Sequence, residues 1–115
     1  MIKLNFSHAN SVLKAQGFID HQLHVDLSDP YLLTKLRDYL LPLVGDGSEE
    51  IVIVPPGLQR LSVLVVVTIH GLVGHFPKIV NMVKTEEGFE SLPTLDLQEY
   101  RNSCVRINRE GMKVL

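Results

Sequence analysis

Three short stretches of this sequence combine residue types that can contact a phosphate, a sugar or a nucleobase. The first, Asn5-Phe6-Ser7-His8, offers an amide, a hydroxyl and an imidazole, all of which form hydrogen bonds with such groups. His8 can in addition transfer a proton near neutral pH. A simpler interpretation is that Ser7 caps a following helix and that His8 is only solvated, and the residues alone favour it.

The second stretch is the turn Pro55-Pro56-Gly57-Leu58, which follows a run of apolar β-branched residues. Gly57 allows a ligand to approach the backbone closely, and the N–H groups that begin the next helix favour anions. Arg60, in the first turn of that helix, could contact a phosphate. The turn lacks the GxxxxGK[ST] and GxGxxG patterns of nucleotide-binding loops. A turn that only ends a strand explains the same residues equally well.

The third stretch contains Gly74, His75 and Phe76, which stand just before a proline. A loop with this composition can stack a base. His70 and His75 are five residues apart with no glutamate between them, unlike the HExxH pattern, so we expect no metal ion. The alternative interpretation is that Gly74 ends a helix and Phe76 packs inward.

Two apolar segments must position these stretches. Ile51–Val54 is a continuous apolar run typical of a strand that is buried on both faces, and proline cannot continue its ladder. Leu58–Val73 is almost uncharged and predicts a buried helix, although its valines leave a strand at Ser62–Ile69 as an alternative. Because this segment is shorter than the ~20 residues that a bilayer requires, we expect no membrane span.

Strand and helix patterns alternate along the rest of the chain. The strands that we predict are Ile2–Phe6, Ile19–Leu27, Lys78–Lys84 and a short Phe89–Leu92. The helices that we predict are Ala9–Gln16, one beginning at Ser28–Pro30 and ending near Pro42–Gly45, and one beginning at Pro93–Asp96 and ending near Asn108–Gly111. With no repeat or linker, residues 1–115 form a single α/β domain with a mostly parallel sheet and helices on both faces.

The bulk composition is typical of a soluble globular chain, with 45% hydrophobic and 21% charged residues. A formal net charge of −2 provides no overall attraction to duplex nucleic acid, so a polyanion would need a local site. The single cysteine, Cys104, excludes an intramolecular disulfide and fits a reducing cytoplasm. The first residues lack the apolar segment of a signal peptide, and we therefore expect a cytoplasmic protein.

Four segments, by their order and spacing, resemble those of a known family. They are Asn5–His8, Pro55–Leu58, His70–Pro77 and Leu95–Gln98. In this order they look like the small accessory proteins of type III CRISPR systems, in the Csx group of ring nucleases and cyclic-oligoadenylate binders. The resemblance spans most of the chain, although Gly17–Glu50 contributes little to it.

This resemblance implies a Rossmann-like domain that forms a homodimer, with higher assembly left open. The ligand would be a cyclic oligoadenylate, in the first place cyclic tetra-adenylate, whose rotational symmetry suits two copies of one half-site. Carried over by position, the ligand would meet Asn5–His8, Pro56–Leu58 and Gly74–Phe76, with a phosphate contact from Arg60. His8 would transfer the proton, and neither a metal nor another cofactor would be needed.

Three hypotheses about function follow. In the first, the protein cleaves the ring by attack of a ribose 2′-hydroxyl on the adjacent phosphate and so ends signalling. In the second, the protein only sequesters the ring, which the scarcity of lysine and arginine at the predicted site favours. In the third, the apolar helix is a protein–protein interaction surface and no cyclic oligoadenylate binds.

Overall fold

The computed structural model describes residues 1–114, and it describes the side chains of all of these except 10, 11 and 112–114. The strands are β1 (Ile2–Asn5), β2 (Ile19–Asp20), β3 (Ile51–Val54), β4 (Lys78–Ile79), β5 (Met82–Thr85), β6 (Gly88–Ser91) and β7 (Leu95–Asp96). The helices are α1 (Asn10–Ala15), α2 (Leu32–Val44), α3 (Gln59–Val73) and α4 (Leu97–Val114).

The main sheet has five strands in the order β2-β1-β3-β4-β7. The first four run parallel to one another, and β7 is antiparallel to β4. Strands β5 and β6 form a separate two-stranded antiparallel sheet, which we call the β5–β6 arm. The mixed α/β class and the mostly parallel sheet were thus predicted correctly, whereas the separate arm was not expected.

Strand β3 lies in the middle of the sheet, and each of its four residues is buried. Ile51 and Ile53 belong to a hydrophobic cluster that includes residues of α2 and α3. Val52 and Val54 belong to a second cluster, which includes Leu13 of α1. Because successive side chains of a strand point to opposite faces, the continuous apolar run is explained by helices on both faces of the sheet.

The segment after β3 is a helix, and the alternative strand at Ser62–Ile69 was wrong. Leu61, Val65 and Ile69 recur at intervals of four residues and are buried against the core. Burying such side chains stabilises the fold by about 1.5–3 kcal/mol each, which outweighs the weak helix propensity of valine. At the other end Gly74 is left-handed, with φ +82°, and its N–H donates to the His70 carbonyl.

The predicted strand Ile19–Leu27 is mostly not a strand. Strand β2 lies at the edge of the sheet, and its only neighbour, β1, ends at Asn5 opposite Asp20. The His21 N–H still donates to the Asn5 carbonyl at 2.8 Å, but the following residues have no strand beside them. The alternating apolar side chains nevertheless pack against the core, as the pattern indicated: Leu23, Val25 and Leu27.

The predicted strand Lys78–Lys84 is divided between the two sheets. The Val80 N–H donates to the Ile53 carbonyl at 2.9 Å, which continues the pairing of β4 with β3. One residue later the Asn81 carbonyl instead accepts from the Leu92 N–H at 2.8 Å, beside the arm. The apolar pattern continues through this point because Val80 and Met82 both contact the cluster on the α1 face.

Helix α4 lies largely outside the core. Tyr100 is 71% exposed and Ile107 is 66% exposed, and the Cys104 thiol between them is exposed and free. The radius of gyration is 15.9 Å, compared with about 13 Å for a compact domain of 100 residues. The predicted helix from Pro93–Asp96 to Asn108–Gly111 is thus present as α4, but it contributes little to the core.

Among the helices of the described residues, none is long and apolar enough to cross a membrane.

Candidate functional site

The carboxyl ends of β1 and β3 lie side by side, with Asn5 paired to Val54. The chain therefore brings the first two predicted stretches, residues 5–8 and residues 55–58, to the same edge of the sheet, which we call the carboxyl edge. The next helices leave in different directions, because α1 packs on one face and α3 on the other. In open α/β sheets, such a divergence leaves a crevice in which ligands bind.

Two adjacent recesses occupy this crevice. The larger one encloses about 420 Å³ and the smaller one about 280 Å³. His8, Pro56 and Gly57 line both of them. We call the pair the carboxyl-edge recesses.

Each recess also has walls of its own. In the larger recess, the additional residues include Asn81 and Phe89, which belong to the segment around the β5–β6 arm. In the smaller recess, they include Gln22 and Leu58. Asn81, Phe89 and Gln22 were not predicted as site residues. The predicted short strand Phe89–Leu92 indicated a return of the chain but not its position beside the recess.

Asn5 lies in the floor behind the recesses. It is 1% exposed, and its Nδ2 donates to the Asp20 Oδ1 at 2.8 Å. Its Oδ1 accepts from the Ser7 backbone N–H at 2.9 Å and from the Ser7 hydroxyl at 2.6 Å. Phe6 is also buried, within the core on the α3 face. The direct ligand contacts predicted for both residues stay predictions. Phe6 lines the smaller recess, and the bonds of Asn5 to Asp20 and Ser7 give its side chain a positioning role.

Ser7 is half-buried and engaged locally. Its hydroxyl donates to Asn5 and accepts from the Ala9 N–H at 3.3 Å, just before α1. The N-cap residue of α1 is Ala9 and it has no side-chain cap bond, so the interpretation that Ser7 caps the helix was wrong, and Ser7 instead stabilises the turn before it. His8 differs because it is exposed, and it is the one titratable side chain among the described residues that line the recesses.

The third predicted stretch lies at the opposite edge of the sheet, where the parallel strands begin. The His75 Nε2 lies 3.2 Å from the Gly47 carbonyl oxygen. The Phe76 N–H donates to the Gln98 Oε1 at 2.9 Å, and the Phe76 ring lies 4.1 Å from that of His70. We call this edge of the sheet the amino edge. The segment Gly74–Phe76 connects α3 there to the loop at Gly47 and to α4 at Gln98. It does not share a recess with His8.

A cavity of about 330 Å³ adjoins this stretch, and its lining includes His75, Phe76 and Lys78. Lys78 forms an ion pair with Glu50 at the rim. The hydrogen bond that Lys78 donates to Glu50 and the charge of the Glu50 carboxylate raise the pKa of Lys78 above its usual value. The polar groups of the amino edge thus contact one another.

Arg60, the predicted phosphate contact, is exposed in the first turn of α3 and lines neither recess. No lysine or arginine lines the two recesses among the described residues.

The loop before α2 forms another cavity, but the carboxylates in its lining are hydrogen-bonded to neighbouring residues. Asp29 accepts from Lys35 at 2.5 Å and from the Tyr31 N–H at 2.8 Å, and these bonds lower the pKa of Asp29.

Within residues 1–114, no group of three His, Cys, Asp or Glu side chains is placed to hold a metal ion. The recesses combine one imidazole, backbone at a glycine turn, amide side chains and two aromatic rings, those of Phe6 and Phe89. These groups suit a ligand with hydrogen-bonding and π surfaces. Fold and site together define a mixed α/β protein with a candidate ligand site at the carboxyl edge of its sheet.

No family model, no curated protein and no solved structure matches the chain.

Proposed function

We propose that this protein binds a cyclic oligoadenylate at the carboxyl-edge recesses and thereby lowers its free level in type III CRISPR antiviral signalling in the cytoplasm. One observation carries the proposal: two of the three segments predicted to contact this ligand line a common crevice, with His8, Pro56 and Gly57 shared by both recesses. The order β2-β1-β3-β4 is also that of a Rossmann-like sheet of the flavodoxin type, whose ligands bind between the first and third strands.

The ligand that fits this proposal is cyclic tetra-adenylate, held by a homodimer. A recess of about 420 Å³ is within the range of about 300–1,000 Å³ that is typical of ligand pockets, so one recess would hold part of the ring. Helix α3 begins beside the smaller recess, and its outer face exposes Val63 and Val67 one turn apart. A two-fold axis along α3 would cover these valines and bring both recesses to the same end of the dimer.

The first mode of action is ring cleavage without a metal ion. The ribose 2′-hydroxyl attacks the adjacent phosphorus, His8 takes the hydroxyl proton, and the bond from phosphorus to the 5′-oxygen breaks. A proton from water completes the leaving 5′-hydroxyl, and the other product end is a 2′,3′-cyclic phosphate. Backbone N–H groups at Gly57 and Leu58 are the available donors for the charge that develops on the phosphoryl oxygens.

The second mode is sequestration, which a specific observation favours. Among the described residues of the recesses there is no cation to stabilise a phosphorane, and the Ser7 hydroxyl is already engaged with Asn5 and Ala9. Tight binding needs complementarity to the ground state, whereas turnover needs additional stabilisation of the transition state. A recess with little positive charge is better suited to holding the ring than to cleaving it rapidly.

The test is one titration and one turnover assay with labelled cyclic tetra-adenylate. We expect saturable binding with one ring per two chains, and a dimer mass in solution. With the ring in tenfold excess, linear product beyond one equivalent establishes cleavage, whereas its absence despite tight binding establishes sequestration. If cleavage occurs, His8→Ala should slow it by about 10²-fold or more, because general acid–base catalysis contributes at least that much.

His24→Ala is the matched control, because His24 is also exposed but lies outside the recesses. It should bind and cleave like the unmodified protein. If His8→Ala cleaves at the unmodified rate, the role of His8 is wrong. If no cyclic oligoadenylate binds at any ring size, the proposed function is wrong and an interaction module is the remaining hypothesis.

A further inference from the structure

The β5–β6 arm is attached next to the carboxyl-edge recesses. The chain leaves the main sheet after β4, and Asn81 and Met82, at the start of the arm, line the larger recess. Phe89, from the returning strand, lines it as well. The Leu92 N–H closes the arm with its bond to the Asn81 carbonyl at 2.8 Å. The arm is therefore a wall of the recess that belongs to neither the sheet nor the helices.

Strand pairing determines which side of the arm faces the recess. Met82 is paired with Ser91, and Lys84 is paired with Phe89. Directly paired residues of an antiparallel ladder project from the same face, and side chains two apart along a strand share that face. Since Met82 and Phe89 line the recess, Lys84 projects from the recess side of the arm, while Val83 and its partner Glu90 project from the other side.

Phe89 is the aromatic residue of the larger recess, and it is 42% exposed. Its ring is thus neither buried in the core nor fully solvated. It lies in the same recess as His8 and Gly57, which the proposed function assigns to the ribose and the phosphate. An adenine stacked on such a ring contributes about 1–3 kcal/mol to binding.

Lys84 supplies a positively charged side chain, which the described lining of the recesses otherwise lacks. Their described lining contains no lysine or arginine, although the proposed ligand carries one negative charge per nucleotide. Lys84 is exposed and stands opposite Phe89 across the hairpin, so its flexible ammonium can reach a phosphate attached to a nucleoside whose base lies on Phe89. One aromatic ring and one cation in register are the two components of a single-stranded nucleic acid site.

We propose that the β5–β6 arm is the base- and phosphate-binding element of the site: Phe89 stacks an adenine base of the cyclic oligoadenylate, and Lys84 neutralises a neighbouring phosphate. Asn81, at the root of the arm, lies in the same recess and is the amide suited to the adenine N6 and N7 positions. This inference rests on the proposed function and assigns residues that the sequence did not single out.

A fluorescent variant tests the stacking directly. The chain contains no tryptophan, so Phe89→Trp introduces a single indole at the proposed contact. We expect the indole emission to be quenched as cyclic tetra-adenylate is added. The ligand concentration at half-maximal quenching should equal the midpoint of the binding curve. Val83→Trp places the same indole on the opposite face of the same arm, and its emission should not change. Far-ultraviolet circular dichroism checks that both variants are folded.

Affinity measurements on the same probe test the energetic contribution. Phe89→Ala should weaken binding about tenfold or more, Phe89→Tyr should retain it, and Val83→Ala should leave it unchanged. Lys84→Gln should weaken binding at low salt and reduce the slope of log K against log salt by about 0.7, the single-strand value for one phosphate contact. Lys14→Gln, an exposed lysine on α1, should leave that slope unchanged.

The outcomes separate the two proposals. If the unmodified protein binds no cyclic oligoadenylate, the proposed function fails. If it binds, but Phe89→Ala binds as tightly as Val83→Ala and both tryptophan variants respond alike, the ligand does not contact the arm and only the present inference fails. If Phe89→Ala loses affinity while Lys84→Gln retains the full salt slope, the stacking contact stands and the phosphate contact is wrong.

Discussion

The two edges of the parallel sheet contain similar residues but use them differently. At the amino edge, His75 contacts Gly47, and Phe76 is bonded to Gln98. At the carboxyl edge, His8 and Gly57 line two recesses and are exposed. Both edges thus combine a histidine with a glycine turn beside a cavity, but the His75 imidazole contacts the Gly47 carbonyl, whereas the His8 side chain is exposed.

The difference follows from how each edge is covered. The amino edge is closed by the loop before β3 and by the first turn of α4, which supply partners for its polar groups. The carboxyl edge lies where α1 and α3 diverge, and within the described residues it is flanked by the β5–β6 arm on the side of the larger recess and by the segment at Gln22 on that of the smaller one. Polar groups that pack together stabilise the fold, whereas polar groups that line open space are available to a ligand.

The largest expected effect comes from exchanging one glycine at each edge for alanine. Gly47 has φ +88°, and a Cβ there would lie 2.8 Å from the Val73 carbonyl oxygen. Gly47→Ala should lower the free energy of unfolding by about 3 kcal/mol, through backbone strain and this contact. Gly57 has open space around it, so Gly57→Ala should change the free energy by less than about 0.5 kcal/mol.

Urea unfolding monitored by circular dichroism measures both glycine variants. Equal losses in the two would contradict the contrast between a packed amino edge and an open carboxyl edge.

A smaller effect is expected from the buried amide beneath the recesses. Asn5→Ala removes the bonds that Asn5 makes with Asp20 and Ser7, and should lower the free energy of unfolding by about 2 kcal/mol. The matched control, Asn108→Ala, changes an exposed residue of α4 and should remain within about 0.5 kcal/mol. If Asn5→Ala is as stable as this control but loses affinity for cyclic tetra-adenylate, Asn5 is a ligand contact and its positioning role is wrong.

The smallest effect concerns the ion pair of the amino edge. Glu50 raises the pKa of Lys78 in the folded protein above the usual lysine value of 10.5. A raised folded pKa stabilises the protein below the unfolded pKa, and this contribution disappears as the pH rises through the folded value. The urea midpoint of the unmodified protein should therefore exceed that of Lys78→Gln by a small amount at pH 8, and the difference should shrink above pH about 10.5.

Because both proteins carry the same other titrating groups, the difference between their midpoints isolates Lys78. A difference that grows at high pH would have the wrong sign for this ion pair.

The central elements of the fold could be predicted from local sequence. The apolar run Ile51–Val54 and the uncharged segment after it correspond to β3 and α3, because a strand between two layers of helices must be apolar on both faces. The short strand predicted at Phe89–Leu92 corresponds to β6, which spans Gly88–Ser91. The prediction of one continuous strand at Lys78–Lys84 was wrong. The apolar pattern continues through Asn81, although the chain leaves the main sheet there and enters the β5–β6 arm.

The candidate site could be predicted only in part. Residues 5–8 and 55–58 follow two strands, and the rule that ligands bind beyond the carboxyl ends of strands was enough to select them. Gly74–Phe76 precede a strand, so they lie at the other edge despite their similar composition. Phe89 had no distinguishing neighbours in sequence, and only the folding of the arm over the larger recess brings it to His8.

By itself, the sequence determined which segments are strands, helices and turns at the centre of the chain, because burial on two faces and glycine–proline turns act over a few residues. Tertiary structure decided which polar groups face one another and which face open space. That distinction depends on strand order and on where α1, α3 and the β5–β6 arm leave the sheet, which are contacts between residues distant in sequence. The polar side chains of Asn5 and His8 illustrate this, since they lie three residues apart and the fold buries the first and exposes the second.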